Sequence, residues 1–325
     1  MEKVLIVDGN NLAAKHYCVM SSSRNSGGLL QTNSGIRTTV IYGVLNSLTA
    51  LSDNYQFDRA IICWDGGSAY RKNIFKHYKA NRAKQTAIKD VDVYYEELDT
   101  AREYFGKMGI SQFYIKGTEA DDLIGYLSRK FTSDISRAVI FSDDKDFFQL
   151  LTNEKLKIFR PTKYEFVSKV EAEEKLGYPV SAFNKVVALC GQQKDNIPGA
   201  CELSDDGIMK LYRFGEKTAY KMLLNEDNTI KKLLEVKESL DLSLPRHQQI
   251  EKNWKGVKLS YKLSKIRIKD EDYAKEELST IKKLLLEFQE RLPLSRSYIE
   301  QVSSLLEFRS INLAKVLIRI GVKLR

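Results

Sequence analysis

Three short apolar runs along the chain are rich in valine and isoleucine: VLIV (4–7), AIICW (60–64) and AVIFS (138–142). Runs of this length and composition are typical of parallel strands that are buried on both faces of a sheet. Patterns typical of helices lie between them. The alternation predicts an α/β fold with a doubly wound, mostly parallel sheet through roughly residue 165.

Two weaker patterns extend this sheet. QFYIK (112–116) is expected to form a further, outer strand, and KIFRPTKYEFVS (157–168) a hairpin that closes the sheet. Downstream the periodicity is helical, and the tail from 278 predicts amphipathic helices that pack against the rest of the protein. The 325 residues suffice for two domains, and we expect them at 1–180 and 181–325, the second mostly α-helical.

Acidic residues follow each predicted strand. In an open α/β sheet the ligand crevice lies outside the carboxyl ends of the strands, so these side chains are expected to gather at one edge. They are Asp8, Asp65, Glu119, Asp121, Asp122, Asp143, Asp144 and Asp146. For the acids at 119–122 a simpler alternative is an ordinary acidic first turn of a helix, capped by Thr118.

Crowded carboxylates call for cations. Two like charges about 4 Å apart repel by ~4 kcal/mol at an effective dielectric near 20, unless cations are bound or the pKa values rise. Carboxylates and water suit Mg²⁺ or Mn²⁺, whereas the four cysteines form no CxxC pair and the three histidines are scattered, which argues against zinc. Sites with two such metals ~4 Å apart cleave phosphodiesters.

The charge of the chain is unevenly distributed. Residues 1–150 hold 19 basic and 18 acidic side chains (+1), and 151–325 hold 33 and 25 (+8), which gives the net charge of +9. The stretches 71–89 and 252–269 each hold seven basic residues and no acidic one. They indicate a polyanionic partner, with solvated surface as the simpler alternative.

Nothing in the sequence indicates a membrane partner. No run approaches the ~18 consecutive apolar residues of a membrane span, and MEKVLIVDGN lacks the features of a signal peptide. We therefore expect a cytoplasmic protein.

Seven motifs in this order resemble those of the 5′ nucleases: the flap endonucleases, the 5′-to-3′ exonuclease domain of bacterial DNA polymerase, and the phage enzymes called RNase H. They are VDGNN (7–11), WDGG (64–67), YKANR (78–82), EADD (119–122), SDDKDFFQLL (142–151), KDNIPG (194–199) and GEKTAYKML (215–223). Each motif is weak alone, but the ordered set is specific and covers most of residues 1 to about 270. The chain most resembles the phage members, and a phage-encoded protein of this kind would act in the cytoplasm of a bacterial host cell.

The resemblance implies a PIN-like catalytic domain at 1–180, with a helical arch near 70–108, and a helix-three-turn-helix element in 181–325 that grips duplex DNA. It implies two Mg²⁺ ions, with Mn²⁺ as a substitute. The metal-binding roles that it assigns fall on Asp8, Asp65, Glu119, Asp121, Asp122, Asp144, Asp146 and Asp195, with Asp143 as a neighbour.

The resemblance also implies roles for basic residues. Lys79 and Arg82 match the family's catalytic pair beside the scissile phosphate, where cations stabilise developing negative charge. Arg71, Lys72 and Tyr78 are expected to continue this surface as nucleic-acid-binding residues. Lys217, within GEKT at the start of a predicted helix, is expected to contact the duplex backbone together with the helix amides.

Two departures from the family pattern stand out. The family usually has Asp three residues before the Asp of KDN, but this chain has Gln192, so the second metal is expected to bind more weakly. The family's short glycine-rich turn is replaced by residues 200–214, which puts a monovalent-cation site in doubt. One hypothesis is that Glu202, Asp205 or Asp206 supplies part of the missing charge, and the alternative is that these acids are loop surface.

The resemblance predicts a Mg²⁺-dependent 5′ nuclease that acts as a monomer on nicked, flapped or RNA-primed duplex DNA and removes primers during replication. A replisome protein is a candidate partner for the terminal helices, and the alternative is that these helices complete the core. Alternatives are a non-catalytic protein that binds branched DNA, with Gln192 as a mark of decay, and a PIN-type ribonuclease, against which GEKTAYKML argues.

Overall fold

A computed structural model describes residues 1–22, 28–82, 88, 90–133, 135–204, 207–210, 215–290 and 292–325. No α-helix in those residues has both the length and the apolar character needed to cross a membrane.

A mixed sheet of six strands lies at the centre of the described chain. Its strands are β1 (Glu2–Asp8), β2 (Arg59–Trp64), β3 (Ser111–Tyr114), β4 (Ser136–Phe141), β5 (Leu156–Arg160) and β6 (Glu165–Val167). They lie in the order β3-β2-β1-β4-β5-β6, and all neighbours are parallel except β5 and β6. This confirms the predicted doubly wound sheet, its outer strand near 112–116 and its closing hairpin at 157–168.

Helices cover the sheet and dominate the chain after it. The α-helices that the structure describes are α1 (Gly9–Met20), α2 (Thr39–Asn54), α3 (Ala69–Ile74), α4 (Val91–Lys107), α5 (Ala120–Lys130), α6 (Lys169–Leu176), α7 (Phe183–Cys190), α8 (Glu216–Met222), α9 (Leu233–Glu238), α10 (Pro245–Lys252), α11 (Trp254–Ser264), α12 (Lys275–Gln289), α13 (Arg296–Leu305) and α14 (Leu313–Arg319). Part of the predicted arch at 70–108, residues 83–87 and 89, lies outside the described residues.

The strand order reverses at β1. The chain runs from β1 to β2 and β3 on one side, and then crosses to β4 on the other side of β1. Such a switch point opens a crevice at the carboxyl ends of the strands. Asp8 ends β1 and Ser142 follows β4, so the acidic segments flank this crevice.

Both faces of the sheet are buried. Val4 and Ile6 of β1 belong to one hydrophobic core, and Leu5 and Val7 to the other, and all four are fully buried. This alternation explains why β1 is a continuous apolar run, as parallel strands covered on both faces require.

Helices α13 and α14 return to the face that α1 and α2 cover. Val302 and Leu317 are buried in the same core as helix α2. The carbonyl oxygen of Arg319 accepts a hydrogen bond from the backbone N–H of Phe57 (2.8 Å), and Lys315 pairs with Asp53 at the end of α2 (2.8 Å). The prediction that the tail from 278 provides packing helices is confirmed.

The two predicted domains share both cores. One core joins strand residues to residues of α7 and α11, and the other joins them to α13 and α14. The division at residue 180 stays a prediction, and packing crosses it on both faces of the sheet.

The segment that replaces the family's short turn is partly a β-ribbon. Strands β7 (Glu202–Ser204) and β8 (Gly207–Lys210) are antiparallel. The expectation of helices after the sheet missed this ribbon, because strands of three and four residues are too short to show a clear periodicity. Glu202 lies 3.7 Å from Lys252, whereas Asp205 and Asp206 lie outside the described residues.

Candidate metal centre and nucleic-acid interface

Asp8 ends β1 and caps α1. One of its carboxylate oxygens accepts a hydrogen bond from the backbone N–H of Asn11 (3.1 Å), and the other accepts one from the hydroxyl of Ser142 (2.8 Å). Burial raises the pKa of Asp8 to about 6; these hydrogen bonds oppose the rise, and the charges of Asp144 and Asp65 add to it. The three carboxylates are therefore close enough to repel one another.

Asp65 follows β2 in a tight loop. Its backbone N–H donates to the side-chain oxygen of Asn10 (2.7 Å), and its carboxylate accepts from the N–H of Gly67 (2.8 Å). A Cβ on Gly66 would lie 1.9 Å from the carbonyl oxygen of Ile115, so only glycine allows this loop to lie against the end of β3. The WDGG motif thus holds Asp65 in place.

Glu119 and Asp121 lie at the start of α5. Glu119 is 2% exposed and accepts hydrogen bonds from Arg71, Lys79 and the Tyr78 hydroxyl. Burial alone would raise the pKa of Glu119, but the two cations hold it below its usual value. Burial raises the pKa of Asp121 well above its usual range, Lys79 opposes this rise, and Asp144, Asp8 and Glu119 add to it.

Asp122 differs from its neighbours because its charge is fully paired. It is completely buried, and its oxygens accept two hydrogen bonds from Arg71 (both 2.8 Å) and two from Arg267 (2.8 Å from the side chain, 3.0 Å from the backbone). Arg267 also binds Glu277 of α12 with two hydrogen bonds of 2.8 Å. This ion cluster leaves the Asp122 carboxylate no free side toward the crevice, so the structure does not support its predicted role as a metal ligand.

Asp144 directly precedes the 3₁₀ helix Lys145–Leu150, and Asp146 lies in its first turn. The backbone N–H of Asp146 donates to Asp144 (2.9 Å), and Lys194 lies within 3.0 Å of both carboxylates. Burial alone would raise the pKa of Asp144, but Lys194 holds it below its usual value. Burial and the charge of Asp144 raise the pKa of Asp146, to which Gln192 donates at 2.9 Å. Asp143 points elsewhere, toward Lys15 (3.4 Å).

The predicted catalytic cations lie beside these acids. Arg82 donates two hydrogen bonds to one oxygen of Asp195 (2.9 and 2.5 Å), and the backbone N–H of Lys79 donates to the carbonyl of Asp195 (2.9 Å). The ammonium group of Lys79 contacts Glu119. The structure therefore brings Lys79, Arg82 and Asp195 together with the acids at the strand ends.

These side chains fit a hard divalent cation. Asp8, Asp65, Asp121 and Asp144 supply only oxygen, and the raised pKa values of Asp8 and Asp121 show that burial and mutual repulsion oppose their ionisation, which a cation would relieve. Within the part of the chain that the structure describes, no three acidic, histidine or cysteine side chains form a cage around one ion. Mg²⁺ keeps several waters and is held by one or two carboxylates, so its binding does not require such a cage.

The predicted nucleic-acid surface is only partly exposed. Arg71 and Tyr78 are each 3% exposed, and both donate hydrogen bonds to Glu119. The prediction that they contact nucleic acid is therefore wrong. The basic run suggested surface because the sequence does not show that Asp122 and Glu119 draw Arg71 inward. Lys72 and Lys217 are exposed, as predicted.

Three supporting residues were missed. Ser142 orients Asp8 and accepts a hydrogen bond from the backbone N–H of Asp144 (3.1 Å), and Asn10 orients Asp65. Both lie inside quoted motifs, so a search for hydroxyl and amide side chains next to the acids would have found them. Arg267 gave no such signal, because it lies in a basic run 145 residues from Asp122.

Comparison with known proteins gives three results. The family model described as "5'-3' exonuclease, N-terminal resolvase-like domain" matches residues 3–177. A 5′-3′ exonuclease of Bacillus subtilis is 34% identical over 271 residues, which cover 81% of this chain and 83% of that protein. DNA polymerase I of the same organism is 30% identical over 284 residues, 86% of this chain but 28% of the much longer polymerase.

Among solved structures, a flap endonuclease of bacteriophage T5, in a pseudo-enzyme-product complex with DNA and metal ions, is similar with a TM-score of 0.68. It is 21% identical, and the match covers 89% of this chain and all of that one. At this identity the likeness concerns the fold, and it agrees with the α/β architecture described above.

Proposed function

Because the chain belongs to the 5′-3′ exonuclease family, we propose that it is a Mg²⁺-dependent nuclease that hydrolyses phosphodiester bonds at the 5′ ends of nicked, flapped or RNA-primed duplex DNA. The observation that carries this proposal is the crowding of Asp8, Asp121 and Asp144 at the switch point of the sheet, next to the ammonium group of Lys79. The similarity to DNA polymerase I supports a role in primer removal during replication.

In this proposal Asp8, Asp65, Asp121 and Asp144 hold the metal or its water shell. Mg²⁺ bound there supplies an activated water and neutralises charge on the phosphoryl oxygens. Ser142 and Asn10 keep Asp8 and Asp65 oriented through their hydrogen bonds. Glu119, whose oxygens accept from Arg71 and Lys79, positions the Lys79 ammonium group.

Lys79 and Arg82 would bind the scissile phosphate. The side chain of Arg82 is 48% exposed, and its guanidinium is hydrogen-bonded to Asp195. Lys79 is held through its backbone by the same loop. Because both cations are already held in place, they can stabilise negative charge that develops on the phosphate, and they need not move during the reaction.

Duplex DNA or an RNA/DNA hybrid would lie along the exposed cations Lys72 and Lys217, with phosphate contacts that set its position. We assign the grip on the duplex to a helix-three-turn-helix element in 181–325, supported by the exposed Lys217 on the first turn of α8. We propose that the protein acts as a monomer in the cytoplasm.

The test is cleavage of a 5′-labelled flap duplex and a 5′-RNA-primed duplex in Mg²⁺. We expect products near the junction from the native protein and a loss of at least ~100-fold in Asp144→Asn, since removing a charged metal ligand forfeits several kcal/mol of transition-state stabilisation. Asp143→Asn is the matched control, because Asp143 lies in the same loop but faces Lys15, and it should cleave at nearly the native rate.

The same assay separates the alternatives. Tight binding of the flap duplex by native protein without cleavage in Mg²⁺ or Mn²⁺ would favour a non-catalytic protein that binds branched DNA. Cleavage of single-stranded RNA with no preference for a duplex junction would favour a PIN-type ribonuclease.

A further inference from the structure

Lys194 bridges two carboxylates of the metal centre. Its Nζ lies 3.0 and 2.9 Å from the two oxygens of Asp144 and 3.0 Å from an oxygen of Asp146. The amide nitrogen of Gln192 lies 2.9 Å from both oxygens of Asp146. A positive charge shared between neighbouring carboxylates is the arrangement that a bridging metal ion would otherwise provide.

We propose that the ammonium group of Lys194 takes the place of a second divalent ion, so that the nuclease centre of this protein binds one metal ion instead of two. The proposal rests on the proposed function for the first ion and goes beyond it in assigning Lys194 a role. It replaces the expectation that a second ion binds weakly because of Gln192.

The charges around this part of the site support the proposal. Asp144, Asp146 and Asp195 carry three negative charges, and Lys194 and Arg82 contribute two positive charges in direct contact with them. These five groups together carry a net charge of −1, which attracts a divalent cation less than three unpaired carboxylates would. Gln192 directs an amide N–H at Asp146 and so satisfies its oxygens without adding the negative charge that an aspartate would bring.

The loop that carries Lys194 is tightly closed. Gln192 and Ile197 exchange two backbone hydrogen bonds of 2.9 Å. A Cβ on Gly199 would lie 2.5 Å from the backbone nitrogen of Gly191, and both glycines have positive φ. This closure holds the backbone of the 3₁₀ helix Gln193–Asp195, which includes Lys194, beside the acids.

The experiment counts Mn²⁺ ions bound to DNA-free protein by electron paramagnetic resonance and calorimetry. We compare the native protein with the double variant Gln192→Asp/Lys194→Ser, which restores a carboxylate and removes the ammonium group. We expect one ion in the native centre and two in the variant, with the second site at least ~10-fold tighter than any further binding to native protein. Circular dichroism verifies that the variant is folded.

Lys145→Ser is the matched control. It also removes one positive charge from this part of the site. Because Lys145 pairs with Glu216 (2.7 Å) and not with Asp144 or Asp146, this variant should still bind one ion. Lys194→Ser alone, which removes the ammonium group but keeps Gln192, should show intermediate affinity for the second ion.

Two ions bound to native protein with the affinities of the double variant would overturn the proposal, as would a folded double variant that binds only one. The rate of flap cleavage adds a second readout: it should rise hyperbolically with Mg²⁺ in native protein and sigmoidally in the double variant. The ion count stands whether or not DNA is cut, so failure of the nuclease proposal would appear in the cleavage assay alone.

Discussion

The carboxylate of Asp8 is 5% exposed and lies among other negative charges, so its ionised form is destabilised in the folded protein. Its pKa is raised from 3.8 to about 6. The folded state therefore binds a proton more tightly than the unfolded state, and this group destabilises the metal-free protein above pH 6. That penalty fades as the pH falls through 6 and is absent below about pH 4.

We therefore expect Asp8→Asn to stabilise the metal-free protein at pH 8. The shift in pKa corresponds to at most about 3 kcal/mol, and asparagine can retain the cap on Asn11. Urea denaturation in the presence of a chelator, at several values of pH between 4 and 8, measures the difference. An advantage that persists unchanged at pH 4 would contradict this explanation, and saturating Mg²⁺ should reduce it at pH 8.

For individual residues, the sequence identified the acidic side chains of the site but did not show which side chains they pair with. Asp8 and Asp65 could be found because a strand end is a local property. The burial of Arg71 could not, because it depends on Glu119 and Asp122, which lie 48 and 51 residues further along the chain. A basic residue in a basic run is ordinarily exposed, and only tertiary pairing reverses that expectation.

Among the elements, the strands were predictable and the packing of the tail was only partly so. Short runs rich in Val and Ile were enough to predict β1, β2 and β4, because this signal lies within each strand's own sequence. The amphipathic pattern of the tail predicted helices that pack, but not that they would cover α2. An apolar stripe indicates that a helix is partly buried, but it does not indicate which element buries it. The ribbon β7–β8 was missed because strands of three and four residues have too little periodicity to recognise.

Helix α14 offers a direct test of this packing. Leu317 is fully buried against the sheet core, whereas its neighbour Ile318 is 40% exposed. We expect Leu317→Ala to lower the free energy of unfolding by about 2 to 5 kcal/mol and Ile318→Ala by less than about 1 kcal/mol. Chemical denaturation of both variants gives the comparison, and equal effects would mean that α14 does not complete the core.

Across the whole molecule, one buried ion cluster joins parts of the chain that are distant in sequence. Arg267 links Asp122 of α5 to Glu277 of α12, and its guanidinium lies 4.6 Å from the ring centre of Tyr70 and 4.3 Å from that of Tyr273. Asp122 in turn holds Arg71 beneath Glu119. The candidate metal centre and the C-terminal helices are therefore structurally coupled.

Removing one member of this cluster should be costly. Arg267→Met would leave the charge of Glu277 unpaired and that of Asp122 only partly paired, so we expect a loss of about 3 to 5 kcal/mol in the free energy of unfolding. Lys282→Met, which breaks an exposed pair with Asp270 (3.0 Å), should cost less than about 1 kcal/mol. Thermal and urea unfolding would measure both, and similar losses would show that the cluster contributes no more than a surface pair.

Helices α13 and α14 cover α2, but they are synthesised long after it. About 270 residues separate α2 from α14, so at about 5 to 20 residues per second the ribosome needs roughly a quarter of a minute to a minute to make the covering helix. Helices α1 and α4 are made early and can pack on α2, but the part of its apolar surface that α14 covers stays open to water through that interval. This part of the core can therefore form only when synthesis is nearly complete.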